Sequence, residues 1–323
     1  MCGYPFRRMS GPGPSLSEER LAPANRIELA YQEIGDREGE PLLLIMGLAT
    51  QMVAWDEAFC AMLAERGFRV VRFDNRDIGH STHLLDAGVP SRPDMLLGRR
   101  RTAAYTLREM ADDTLGLMDR LEIESAHLVG ASMGGMIAQA TAIREPARVR
   151  SLVSIMSSTG NRWVGIPAWK AFGTLFNQPG PGREAAIEAT VRTFRTIGSP
   201  GYPMDEARVR ELAGASYDRS HDRAGIARQL HAVTASGDRT PKLERLRLPA
   251  TVLHGAEDPL IRPIAGRATA RAIRDSRLRL FPGMGHDLPP ELWPDFVEEI
   301  TATAHRFGPT NSSSLATSSL RET

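Results

Sequence analysis

Cysteine is almost missing: Cys2 and Cys60 are the only two in 323 residues. Two cysteines build no disulfide framework and neither has metal-ligand spacing, so the expectation is a reduced, cytoplasmic protein with no metal site. Long apolar runs are missing too, since none approaches the ~18 residues that span a membrane. Met1–Leu21 carries Arg7 and Arg8 but no apolar stretch after them, so no secretory signal is expected in it. Charge of one sign is not in excess. With 40 basic against 39 acidic residues the net charge is +1, leaving no bulk electrostatic footprint for nucleic acid. Lysine is nearly lacking, represented by Lys170 and Lys242 alone, so arginine supplies almost all the positive charge. That bias is read as base composition. Arg99-Arg100-Arg101 is read as a solvated loop.

What is present is globular, with 41% hydrophobic and 24% charged residues. Length alone suggests about two compact units. The Ser/Thr-rich end, Pro309–Thr323, has no apolar periodicity. Residues 1–24 and 307–323 are therefore expected to be disordered extensions, with the fold confined to residues 25–306.

Inside those limits, short apolar runs alternate with helical patterns. Ile27–Ile34, Pro41–Met46, Arg69–Phe73, Ala126–Val129, Val149–Met156, Ala250–Leu253 and Leu278–Phe281 read as strands. Ala54–Arg66, Leu107–Leu121, Met133–Arg144, Pro263–Ile273 and Leu292–His305 read as helices. Such alternation predicts an α/β fold with a mostly parallel sheet flanked by helices, and a ligand site beyond the carboxyl ends of the strands. Residues 157–248 break the pattern, with helical segments at Glu184–Ile197 and Asp205–Tyr217 and many prolines and glycines. They read as a helical cap inserted between the core segments 25–156 and 249–306.

Chemistry concentrates at three turns. Gly130-Ala131-Ser132-Met133-Gly134-Gly135 lies between a strand and a helix, the context that a nucleophile elbow needs. Small residues two before and two after the serine permit the sharp turn that lifts its hydroxyl above the sheet. A serine hydroxyl needs a base, and the base needs an acid to orient it, in the order serine, acid, histidine. Asp258, beyond strand Ala250–Leu253, is the expected acid, with its neighbour Glu257 as the alternative. His286, in Gly283-Met-Gly-His286, is the expected base. Of eight histidines only His286 has both the order and the loop position; His127 and His254 are assigned local packing, His221 and His231 the cap, His80 and His83 a loop near the pocket, and His305 the surface. The oxyanion donors are expected to be the backbone amides of Met133 and Leu48, with Gly47 allowing close approach. Trp163, Trp169 and Phe172 are candidate substrate-lining residues of the cap.

These motifs resemble the α/β-hydrolase fold family over about residues 25–306. Phe73-Asp74-Asn75-Arg76-Asp77-Ile78-Gly79-His80-Ser81 is similar to that family's Asp-x-Arg-Gly-x-Gly-x-Ser loop, with Asp77 in place of the first glycine. The resemblance makes this loop a support of the oxyanion region, so Asp74 and Arg76 are not assigned catalytic roles. Met46-Gly47-Leu48 departs from the family's usual His-Gly. Within the family, Leu44-Ile-Met46-Gly47 and Gly283-Met-Gly-His286-Asp-Leu-Pro289 are similar to aclacinomycin methylesterase-like bacterial ester hydrolases. The resemblance implies hydrolysis of a carboxylic ester of a small, largely apolar molecule through an acyl-serine, with no cofactor, nucleic acid or membrane partner. Lactone, thioester, perhydrolysis and carbon–carbon bond cleavage use the same triad and stay open. A non-catalytic binding protein would show a damaged triad, and a protein interacting through its tails would show motifs there. Serine at position 132 argues against dehalogenase and epoxide hydrolase chemistry, which places aspartate there.

Overall fold

The computed structural model describes residues 16–164, 168, 171, 173 and 180–306. Strand β1 is Arg20–Ala24, β2 Ile27–Ile34, β3 Glu40–Ile45, β4 Phe68–Phe73, β5 Ala126–Ala131, β6 Val149–Ile155, β7 Ala250–Gly255 and β8 Arg277–Phe281. They form one sheet in the order β1-β2-β4-β3-β5-β6-β7-β8. β1 and β2 run antiparallel, as do β2 and β4, and every other pair is parallel.

Helix α1 (Glu57–Ala64) and α10 (Trp293–Ala304) cover one face; α3 (Leu107–Arg120), α4 (Met133–Arg144) and α9 (Pro263–Ala272) cover the other. The central strands are apolar at consecutive positions because both faces are buried. In β3, Leu43 and Ile45 pack with Met118 and Ile137, whereas Leu42 and Leu44 pack with Phe59 and Phe296. The short helix α2 (Arg92–Leu97) lies in the long connection before α3. Between β6 and β7 come α5 (Arg183–Ile197), α6 (Glu206–Arg219), α7 (Arg223–Ala235) and α8 (Thr240–Leu243). Helix α7 escaped the periodicity reading because its buried face carries Arg228, Gln229 and His231 beside Leu230.

The start of the chain departs from expectation. Residues 16–24 are not a disordered extension: Leu16 bridges to Ile34 and β1 pairs with β2 along its length. The hairpin turns on Asn25 and Arg26, with φ of 47° and 67°. Two left-handed residues make the turn whose twist matches that of paired strands. Asn25 suits that conformation and arginine does not announce it, so the hairpin had no glycine to betray it. The expected tail at 307–323 lies outside the described residues.

Chain order fixes where a site can form. From β3 the chain moves to β4 on one side, then returns to β5 on the other side of β3. Strand order reverses at β3 and β5, and the crevice beyond their carboxyl ends is the place where open α/β sheets bind ligands.

Candidate active site

Beyond β5, Ser132 has φ 55° and ψ −119° and caps α4. A left-handed serine is strained by about 1–3 kcal/mol and persists only where its surroundings over-determine it. Here they do. The Ser132 amide donates to the Ile155 carbonyl at 2.9 Å, and its own carbonyl accepts from Gly135 at 3.1 Å and from the Ser157 hydroxyl at 2.8 Å. The flanking glycines are obligatory by space, since a Cβ on Gly130 would lie 2.2 Å from the Gly134 carbonyl oxygen. One on Gly134 would lie 2.0 Å from that of Ile45.

His286 follows β8 and Asp258 follows β7. His286 Nε2 lies 3.0 Å from Ser132 Oγ, and His286 Nδ1 lies 2.7 Å from Asp258 Oδ2. The other carboxylate oxygen of Asp258 accepts from the amides of Leu260 at 2.8 Å and Ile261 at 2.9 Å. Burial alone would raise the Asp258 carboxyl. The charge of His286, with hydrogen bonds from His254 and His286, outweighs it and lowers the pKa to about 2. An ionised carboxylate can only accept. Nδ1 of a neutral His286 therefore carries the ring proton, and Nε2 presents a lone pair to the serine hydroxyl. Glu257 is engaged elsewhere, accepting from the Gly283 amide at 2.6 Å.

The loop after β3 supplies the third element. Gly47 lies so close to the serine that a Cβ there would stand 3.1 Å from Ser132 Cβ and 3.6 Å from Oγ. The Met133 amide opens α4, where the first amides have no partner within the helix. No hydrogen bond from the Leu48 amide occurs among the described residues. Of the two expected donors, neither the Leu48 amide nor the Met133 amide makes a hydrogen bond among the described residues.

The loop after β4 holds this region without entering it. Asn75 Nδ2 donates to the Met46 carbonyl at 2.9 Å, and Asp74 Oδ1 accepts from the Met52 amide at 2.7 Å. Asp77 keeps a left-handed backbone, φ 64°, at the position where the family pattern has glycine. Its carboxylate is forked by Arg228 of α7. Arg76 likewise forks Asp113 with two contacts of 2.6 Å.

Other expected positions fall differently. Trp163 is 78% exposed, so it lines no closed pocket: its segment turns outward at the surface. Trp169 and Phe172 lie outside the described residues. His80 and His83 join the core to the insertion, His80 to the Arg219 carbonyl at 2.9 Å and His83 to Asp222 at 2.9 Å. His254 is packed against the Ile261 carbonyl at 2.6 Å, as expected of a local role, yet it also stands 3.5 Å from Asp258 Oδ2. Among the described residues, Asp77, His83 and Asp222 alone group their side-chain ligand atoms within 4.8 Å as a metal site would. Arg228 Nη2 sits 2.7 Å from Asp77 and 3.1 Å from Asp222, so a cation already answers those carboxylates.

Sequence reasoning missed the insertion's grip on the loop that carries His286. The His286 amide donates to the Ile197 carbonyl at 2.7 Å, the Gly285 amide to Ser199 Oγ at 2.8 Å and the Gly201 amide to the Gly283 carbonyl at 2.8 Å. No motif marks residues 197–201; only the succession of prolines and glycines around them signals a built turn.

A mostly parallel sheet, a strained serine between strand and helix, and a histidine–aspartate pair on the next loops define a hydrolase architecture. The chain belongs to the α/β-hydrolase fold family, whose model matches residues 40–291. It is 28% identical over 291 residues to rhodomycin D methylesterase DauP of Streptomyces sp. strain C5, covering 84% of this chain and 92% of that one. It is also 28% identical over 258 residues to 3-oxoadipate enol-lactonase 2 of Acinetobacter baylyi, covering 80% and 86%. The esterase RhEst1 from Rhodococcus superposes with a TM-score of 0.69 at 21% identity, covering 90% of this chain and 100% of that one. The methylesterase and enol-lactonase relatives support ester hydrolysis in general terms.

Proposed function

We propose that this protein hydrolyses a carboxylic ester of a small, largely apolar molecule through an acyl-serine intermediate. The observation that carries the reading is the continuous relay Ser132–His286–Asp258, 3.0 Å and 2.7 Å long; the backbone amides of Leu48 and Met133 are assigned as the oxyanion donors. Ser132 Oγ attacks the ester carbonyl carbon as its proton passes to His286 Nε2. Asp258 stabilises the imidazolium, and the two amides hold the oxyanion. His286 then protonates the leaving alkoxide, the carbonyl reforms, and an acyl-serine remains. Water, activated by the same nitrogen, repeats the cycle and releases the acid. The balance needs only ester and water, so the chemistry requires no cofactor or metal.

The methylesterase relatives put methyl esters first in a substrate panel, and the enol-lactonase relative adds lactones, which are internal esters. The test is a fluorophosphonate probe followed by digestion to find the labelled residue, with pre-steady-state kinetics on a nitrophenyl acyl ester. Label on Ser132 and a burst of nitrophenolate are expected, with Ser132→Ala lowering kcat at least ~10³-fold. Absence of both label and burst would sink the enzyme reading, and full activity in Ser132→Ala would sink the assigned roles.

A further inference from the structure

On the serine-hydrolase reading the Leu48 amide points at the reacting oxygen, yet among the described residues it makes no hydrogen bond of its own. Its neighbours are pinned instead. On one side, Asn75 Nδ2 fixes the Met46 carbonyl at 2.9 Å. On the other, the peptide between Leu48 and Ala49 is held at both ends. The Thr50 hydroxyl donates to the Leu48 carbonyl at 3.0 Å, and the Ala49 amide donates to Gln229 Oε1 at 3.1 Å. Ala49 has φ 59°, a conformation an L-residue adopts at a cost. Something must hold it there.

Gln229 lies on α7 of the insertion, 180 residues along the chain, and is fully buried. Its Nε2 donates to the Arg76 carbonyl at 2.8 Å, so both ends of one amide are used. One end reaches the loop after β3 and the other the loop after β4. A buried side-chain amide with both ends satisfied is a rigid strut, since losing either bond strands a polar group without water. Its neighbours along the helix strengthen the anchor, because Arg228 is locked onto Asp77 at 2.7 Å.

We infer that Gln229 is a positioning residue for the oxyanion hole: by fixing the left-handed Ala49 peptide it aims the Leu48 amide at the transition-state oxygen. The histidine that family members place before this glycine is Met46 here, and the strut comes from the insertion instead. The helical insertion is in that case part of the catalytic frame. The inference rests on the serine-hydrolase reading.

The experiment compares wild type, Gln229→Met and Thr50→Val. Gln229→Met keeps length and volume but makes neither bond. Thr50→Val removes the second pin of the same peptide at a half-exposed position, where folding is not at stake. For each, kcat and KM are measured on a nitrophenyl ester, together with the Ki of a trifluoromethyl ketone, whose serine adduct carries an oxyanion, and of the product acid, which carries none. Gln229→Met is expected to lower kcat about 10- to 100-fold, part of the 10²–10³-fold cost of deleting a donor outright. The ketone Ki should rise by a matching factor while KM and the acid Ki move less than threefold. Thr50→Val should shift kcat and ketone Ki the same way by a smaller factor. Unchanged ketone affinity in both variants overturns the inference, as does a parallel loss of ketone and acid binding, which marks general damage. A wild type that the fluorophosphonate does not label and the ketone does not inhibit overturns the hydrolase reading itself.

Discussion

Replacing Arg228 by methionine should be among the costliest single changes outside the catalytic residues. Its guanidinium donates Nε to Asp77 Oδ2 at 2.8 Å, Nη2 to Oδ1 at 2.7 Å and Nη1 to the Gly88 carbonyl at 2.9 Å. Asp77 is completely buried, and its remaining donors are the Tyr105 hydroxyl and the Leu84 amide, each at 2.7 Å. Burial raises the Asp77 carboxyl, and Arg228 with those two donors more than offsets it, holding the pKa below the ordinary carboxylate value. Removing the guanidinium leaves the buried Asp77 carboxylate without its paired cation, and breaking a buried pair in this way costs about 3–5 kcal/mol. Because the charge is stranded rather than merely unpaired at a surface, adding Asp77→Asn to Arg228→Met should recover about 1–3 kcal/mol. Asparagine suits the left-handed backbone at 77, so the second change adds little strain. The assay is urea denaturation followed by circular dichroism, at low salt and again in 1 M NaCl. A buried pair is poorly screened, so the loss should persist in salt. An Arg228→Met protein within 1 kcal/mol of wild type, or a double variant less stable than the single, would refute the reasoning.

Three further outcomes follow from the same structure. Ser132→Gly should be more stable than Ser132→Ala by about 1 kcal/mol in thermal denaturation, because glycine relieves the φ of 55° and alanine keeps it, though both are inactive. Gly134→Ala should lose folded protein, since its Cβ would meet the Ile45 carbonyl at 2.0 Å; soluble, active Gly134→Ala would show that the elbow relaxes. The Asp258 carboxyl, near 2 when folded against an ordinary 3.8, contributes about 2 kcal/mol above pH ~4 that is lost as pH falls toward 2. Asp258→Asn should lack that segment of the pH–stability curve, and identical curves for the two proteins would contradict the assignment.

That Ser132, Asp258 and His286 would meet was legible because each lies at a locally marked turn. Gly130-x-Ser132-x-Gly134 is a steric requirement of one turn; Asp258 follows the mostly apolar strand Ala250–Leu253, and His286 follows the alternating strand Leu278–Phe281. The central strands were legible for the same reason, as their apolar positions are consecutive. Helix α7 was not, since burial there is achieved by Arg228, Gln229 and His231, which a hydrophobic pattern counts as surface. Strand β1 was hidden because its order comes from pairing with β2 and its own residues are half exposed. Trp163 shows the converse error: a large apolar side chain in a cap-like segment is not thereby in a pocket.

The scarcity of lysine also gains meaning at particular sites. Arginine forks close the buried pairs with Asp113 and Asp77, a geometry a lysine ammonium cannot reproduce. Sequence by itself determined the alternation of strands and helices, the elbow and the order of its partners, since those depend on neighbours a few residues apart. Tertiary structure alone decided which distant groups meet: Gln229 reaches the Ala49 amide 180 residues away, and Arg228 reaches Asp77 151 residues away. Backbone groups carry no side-chain signature, and their partners are residues that only folding brings near.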